Sequence, residues 1–273
     1  MSVAFAIRAA AERLASSSES ARLDAEMLMA HALGLSRERL LLGGMQGESP
    51  ATFAPLIERR LAGEPVAYLT GSRDFWTITL AVGPGALVPR PDSETLLEAA
   101  LDHFGAAGPR TILDLGTGPG TLLLAALAEW PRATGLGIDR SEAALSYARI
   151  NAAALGMADR AALRLGDWAG GIDTAFDLVL ANPPYIESAA ILPRDVAEHE
   201  PAGALFAGAD GLDAYRILAG QIGALLRPGG MAAIEIGASQ RAAVTDLFAA
   251  SGLRLAARAD LAGRDRAILL YRD

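Results

Sequence analysis

Apolar positions recur at helical spacing through the first 72 residues, and from Arg110 onward they gather into short runs separated by helical stretches. In "ARLDAEMLMAHALG", Leu23, Met27 and Ala30 stand at i, i+4 and i+7, and Gly34 is placed to close the helix in the left-handed conformation. "SPATFAPLIERRLAG" offers Ser49 as N-cap and Pro50 at the first helical position. Phe53, Leu56, Ile57 and Leu61 then make one apolar face, ended by Gly63 and Pro65. Between Asp74 and Val88, "DFWTITLAVGPGALV" alternates around Gly-Pro-Gly and predicts a hairpin. "PRPDSE" then hands over to a helix, with Asp92 or Ser93 as N-cap.

The second half predicts strands at Thr111–Leu115, Thr134–Ile138, Ala162–Leu165, Phe176–Leu180, Met231–Ile236, Arg254–Ala259 and Ala267–Leu270. Strands alternating with helices imply a mostly parallel, doubly wound α/β sheet. The expected organisation is a helical domain over residues 1–72, a connecting hairpin over 73–92 and an α/β domain over 93–273. "SSSES" at 16–20 reads as a loop, and there are no internal repeats.

Composition removes several chemistries. The 273 residues include no cysteine, which excludes disulfides and thiol nucleophiles. All 24 basic residues are arginine, so neither a Schiff-base lysine nor a P-loop lysine exists. His31, His103 and His199 are too scattered for a metal site. A net charge of −8 without a basic stripe argues against direct nucleic-acid binding. No apolar run is long enough for a membrane helix and Arg8 interrupts any signal-like start, so a soluble cytoplasmic protein is expected.

Candidate chemistry collects at the predicted carboxyl ends of strands. "TILDLGTGPGTLLLAALAEW" is a strand, a glycine-rich turn and a helix. Gly116, Gly118 and Gly120 give G-x-G-x-G after Asp114, with Thr117 and Pro119 between them, rather than the G-x-G-x-x-G of nicotinamide sites. That spacing suits S-adenosyl-L-methionine, which yields S-adenosyl-L-homocysteine when its methyl group leaves. Asp139 ends the next strand, placed to accept ribose hydroxyls or to cap the helix that follows. Asp167 and Trp168 end the third, where the indole would cover an adenine face or fill the core edge.

The fourth strand ends in "LANPPYI". Two prolines remove two backbone donors and stiffen the chain. An amide nitrogen is a weak nucleophile, so acceptors on both of its N–H bonds would orient it and raise its electron density. The side-chain carbonyl of Asn182 and the backbone carbonyl of Pro183 supply such acceptors. Pro184 holds the turn, and Tyr185 offers a flat ring to a planar group.

"DAEMLMAHALG", "EPVAYLTGSRDFW", "LVPRPDSETL", "ILDLGTGPG", "GIDRS", "LANPPYI" and "PAGALFAGADGL" follow one another along nearly the whole chain. In this the sequence resembles the bacterial glutamine N5-methyltransferases of peptide chain release factors, the PrmC or HemK family. The resemblance implies a seven-stranded class I methyltransferase domain behind a helical domain that docks the substrate. The substrate would be the glutamine of the Gly-Gly-Gln loop in release factors 1 and 2. Carried over by position, Gly116–Gly120, Asp139, Trp168 and Asn182 would contact the methyl donor, and Asn182–Tyr185 the glutamine. Two positions depart from the family pattern. Pro119 removes a loop N–H, and His199 precedes Glu200-Pro201 where an aromatic is common. The rival readings are a ribosomal-protein glutamine N5-methyltransferase and a nucleic-acid N6-adenine methyltransferase, because adenine presents the same planar NH₂ group.

Overall fold

In the computed structural model, which describes residues 1–273, the apolar runs after Arg110 become strands. A two-stranded sheet pairs β1 (Ser72–Phe75) with β2 (Ile78–Ala81). The large sheet contains β3 (Thr111–Leu115), β4 (Thr134–Asp139), β5 (Ala161–Leu165), β6 (Phe176–Ala181), β7 (Leu226–Glu235), β8 (Arg254–Ala259) and β9 (Asp265–Tyr271). Its order is β5-β4-β3-β6-β7-β9-β8. The pairs from β5 to β7 are parallel, while β9 runs antiparallel to both β7 and β8. Strand order reverses between β3 and β6, so a crevice opens above their carboxyl ends, where ligands of such sheets bind.

Side-chain alternation sorts the sheet into two faces. Leu113, Leu115, Val179, Ala181, Ala232 and Ile234 point into a core with Tyr215, Leu218, Val244 and Phe248. Ile112, Asp114, Leu178, Leu180, Ala233 and Glu235 alternate with them on the opposite face. Helices Glu94–Phe104 and Thr121–Glu129 pack there against β7 and β3 respectively.

The chain divides into two compact units, residues 1–72 with 192–200, and residues 73–191 with 201–273. The first is helical and buries Ile7, Leu14, Leu28, Met29, Leu40 and Ile57 in one cluster. Helix Ala21–Leu33 also buries Asp24 and Glu26, each matched by arginine. Arg60 Nε donates to Asp24 Oδ2 at 2.8 Å, and Arg22 and Arg37 bracket Glu26 at 2.6 and 2.7 Å.

Local expectations shift at four places. Leu23 is exposed, because the helix turns its Ala25, Leu28 and Met29 face inward with the paired acids beside it. The helix expected from Pro50 starts at Phe53, whose N–H closes a preliminary turn on the Pro50 carbonyl at 3.1 Å. The hairpin turns at Trp76-Thr77, not at Gly83-Pro84-Gly85. Trp76 holds φ 54 because its backbone N–H reaches Glu94 Oε1 at 2.9 Å and its indole reaches Glu129 Oε2 at 3.1 Å. Gly83-Pro84-Gly85 instead makes a separate turn, closed by Ala86 N–H on the Gly83 carbonyl. β7 begins at Leu226 rather than Met231, since Leu226 pairs with Phe176 across a register shift.

Candidate active site

Asp114, near the end of β3, is 1% exposed, and its Oδ2 does two jobs. It accepts from the Thr117 hydroxyl at 2.6 Å and from the Leu123 N–H at 3.1 Å, tying the glycine turn to the start of the helix behind it. Asp114 Oδ1 has no partner. Burial, reinforced by the nearby Asp139 carboxylate, pushes the Asp114 carboxyl up to about 7 against those two hydrogen bonds.

The turn itself is anchored across the sheet. Gly116 and Thr117 N–H both donate to the Ile138 carbonyl, and Gly118 N–H donates to Asp139 Oδ2 at 2.8 Å. Gly116 (φ 73) and Gly118 (φ 57) occupy the left-handed region that side-chain-bearing residues avoid. A Cβ on Gly116 would face Trp168, whereas one on Gly118 would meet nothing within 4 Å. The other Asp139 oxygen takes the Ser141 N–H at 2.8 Å, while Ser141 caps helix Glu142–Ala154. Asp139 therefore fastens the turn and leads into the helix, but the cap itself is Ser141.

A cleft of about 430 Å³ lies above these strand ends. Asp114, Gly116, Thr117, Gly118, Pro119, Asp139, Asp167, Trp168, Asn182 and Pro184 all line it. Gly120, Pro183 and Tyr185 do not. Gly120 is the left-handed cap of helix Thr121–Glu129, Pro183 is buried, and Tyr185 packs its ring against the core. Trp168 is half-buried at φ 48, a strained conformation for a tryptophan that costs roughly 1–3 kcal/mol. The Pro119 carbonyl, whose residue contributes no N–H, is held by Asn151 Nδ2 at 2.9 Å.

Asn182 follows the β6 residue paired with Ile234, so it stands beside Glu235 at the end of β7. Ser93, expected as a helix cap, makes no cap bond. Its hydroxyl donates to Glu235 Oε2 at 2.5 Å and accepts from Asn182 Nδ2 at 3.1 Å. Tyr185 OH reaches Glu235 Oε1 at 3.4 Å, and Gln240 Nε2 donates to the Tyr185 carbonyl at 3.0 Å. Glu235, Asn151 and Gln240 are not among the residues the sequence singles out, and Ser93 is marked there only as a helix cap. The one available signal was an acid at the end of an apolar strand, in "AAIEIG".

A parallel sheet with a glycine turn, an acid and an aromatic at successive strand ends defines the methyltransferase domain, and a family profile of that description matches residues 109–250. A methyltransferase from Pyrococcus furiosus shares the fold at 18% identity and TM-score 0.53, over 71% of this chain and 88% of that one. So does a ribosomal protein L11 methylase from Lactobacillus delbrueckii subsp. bulgaricus, at 22% identity and TM-score 0.50, over 67% and 80%.

The chain belongs to the release factor glutamine methyltransferase family. It is 46% identical to the Rhodospirillum rubrum member over 93% of this chain and 80% of that one. It is 45% identical to the Cereibacter sphaeroides member over 98% of each. Residues 6–71 match the PrmC N-terminal domain profile.

Proposed function

We infer that this protein transfers a methyl group from S-adenosylmethionine to the side-chain N5 of the glutamine in the Gly-Gly-Gln loop of release factors 1 and 2. The observation that carries the reading is Asn182, fixed by Ser93 at the mouth of β6 and lining the cleft beside the glycine turn. The family's named activity agrees with it.

The cleft residues fit the donor. Asp114 Oδ1 is a buried acceptor without a partner, suited to a cationic ligand, and the open side of Gly118 leaves room for close approach. Asp139, at a strand end in the cleft lining, would hold the ribose hydroxyls, and Asp167 and Trp168 would hold the adenine. When bound, S-adenosylmethionine supplies an electrophilic methyl carbon. The protein's part is to present the nucleophile. Asn182 Oδ1 and the Pro183 carbonyl accept the two N–H bonds of the glutamine amide, aim its nitrogen, and stabilise the positive charge that develops there. Pro184 lines the cleft and stiffens this arrangement. The Tyr185 ring, held in the core and tied to Glu235, serves the arrangement by fixing the loop. The helical domain of residues 1–72 docks the release factor.

Mass spectrometry of purified release factor after incubation with protein and donor tests this. One added methyl on the Gly-Gly-Gln glutamine, absent when that glutamine is replaced, is the expected result. A methyl found instead on a ribosomal protein or on DNA would replace the substrate.

A further inference from the structure

We propose that Glu235, acting through Ser93, is the positioning group that sets which end of the Asn182 amide faces the substrate. The inference rests on the function proposed above and concerns how the acceptor in that mechanism is kept an acceptor.

An asparagine amide has two ends of nearly equal shape, a carbonyl that accepts and an NH₂ that donates. Presented the wrong way round, Asn182 would set its NH₂ against the NH₂ of the incoming glutamine, and the two donors would repel. Neither shape nor packing distinguishes the two orientations, so something must do so electrostatically. The contacts supply it in two links. An ionised carboxylate only accepts, so the Ser93 hydroxyl, 2.5 Å from Glu235 Oε2, must give its single proton to Glu235. Ser93 Oγ then has only lone pairs left for its other neighbour. Asn182 Nδ2, at 3.1 Å, meets that demand, which leaves Oδ1 for the substrate.

The second oxygen of Glu235 is also committed. Tyr185 OH reaches it at 3.4 Å, so one buried carboxylate holds both ends of the Asn-Pro-Pro-Tyr turn. Glu235 is 1% exposed, too buried for water to supply the missing polarity. The charged and titratable groups around it are Asp92 and Arg266, which pair with each other at 2.9 Å, together with Tyr185 and Tyr215. Tyr215 OH donates to the Glu235 backbone carbonyl at 2.9 Å and leaves the carboxylate oxygens to Ser93 and Tyr185. Protonating Glu235 reverses the logic. Its new O–H donates to Ser93, the serine proton swings toward Asn182, and the amide is drawn into the unproductive orientation. Burial raises this carboxyl to about 7, so the reversal falls in a range where it can be measured.

The test compares the wild-type protein with Ser93→Ala, Ser93→Thr and Glu235→Gln. Release-factor methylation at saturating donor, where titration of Asp114 in the donor site no longer limits the rate, gives kcat/KM for the release factor from pH 6 to 9. Calorimetry gives donor affinity, and nitrogen-15 NMR follows exchange of the Asn182 side-chain NH₂. Wild-type kcat/KM is expected to rise with pH as Glu235 ionises. Ser93→Ala should lose at least about tenfold and flatten that rise, while donor Kd changes less than about threefold. Ser93→Thr, which keeps the hydroxyl, should restore both the rate and the pH profile. Glu235→Gln, able to donate or accept toward Ser93, should be slower and pH-independent. The Asn182 NH₂ should exchange slowly in wild type and Ser93→Thr, and quickly in Ser93→Ala.

A Ser93→Ala variant with wild-type rate and profile, or one whose rate falls only in step with lost donor binding, would overturn the proposal. So would unchanged NH₂ exchange. If Glu235→Gln fails to fold, the two Ser93 variants decide the matter alone. If the wild-type protein leaves the release factor unmodified, the substrate assignment falls, and the NMR comparison still decides the relay.

Discussion

Asp114 and Glu235 are both carboxyl groups taken out of water and both pushed up to about 7, and this couples stability to pH in an uncommon direction. In the unfolded chain each ionises near pH 4. Between about 4 and 7 the folded protein therefore holds more protons than the unfolded one, so stability falls as pH rises through that window and levels off above it. The ligand-free protein is expected to lose melting temperature between pH 5.5 and 8 in a calorimetric series. Asp114→Asn should flatten the slope and stabilise the protein at pH 8 by roughly 1–2 kcal/mol, while weakening donor binding. Asn182→Ala should cut turnover at least about a hundredfold and donor affinity only severalfold, as read by a methylation assay beside a donor titration. Asn182 was legible in the sequence because two prolines punctuate the strand directly after it. Glu235 was not, because its partner Ser93 lies 142 positions away and only the sheet order brings the two together.

Among the elements, the strands were the most legible part. Their apolar runs are bounded by glycine and proline, and β8 runs from Arg254 to Ala259 as expected. Turns were less so. Gly83-Pro84-Gly85 carries every local mark of a hairpin turn, yet the chain reverses at a tryptophan held left-handed by hydrogen bonds to two distant glutamates. Helix Ala21–Leu33 stands where the pattern places it, closed by left-handed Gly34, but the face it buries differs for a related reason. Asp24 and Glu26 look like solvent-facing residues until Arg60, Arg22 and Arg37 are in place. The turn after β6 is braced from below by Gly211, at φ 70, whose Cβ position lies 2.4 Å from the Tyr185 carbonyl. Gly211→Ala should displace that carbonyl and loosen the Gln240 clamp. The expected loss is about 2–3 kcal/mol of stability by denaturant titration, with turnover reduced more than donor binding.

On the scale of the whole molecule, residues 192–200 leave the α/β unit a few positions after Tyr185 and fold with the helical unit, where Asp195 meets Arg60 at 3.4 Å. No linear pattern announced this, since the helical domain had been expected to end at residue 72. A fragment of residues 73–273 would leave this excursion without its arginine. In hydrogen exchange the fragment should show fast exchange confined largely to 192–200, with donor affinity kept within severalfold and release-factor methylation lost. The same threading bears on descent. Two stretches far apart in the gene make one folding unit, so a single recombination crossover between them would join a helical unit from one parent to an excursion from another. Only parents whose counterparts of Asp24, Arg60 and Asp195 agree would yield a well-paired chimaera. Those three positions should therefore be inherited together, as if they were neighbours on the chromosome.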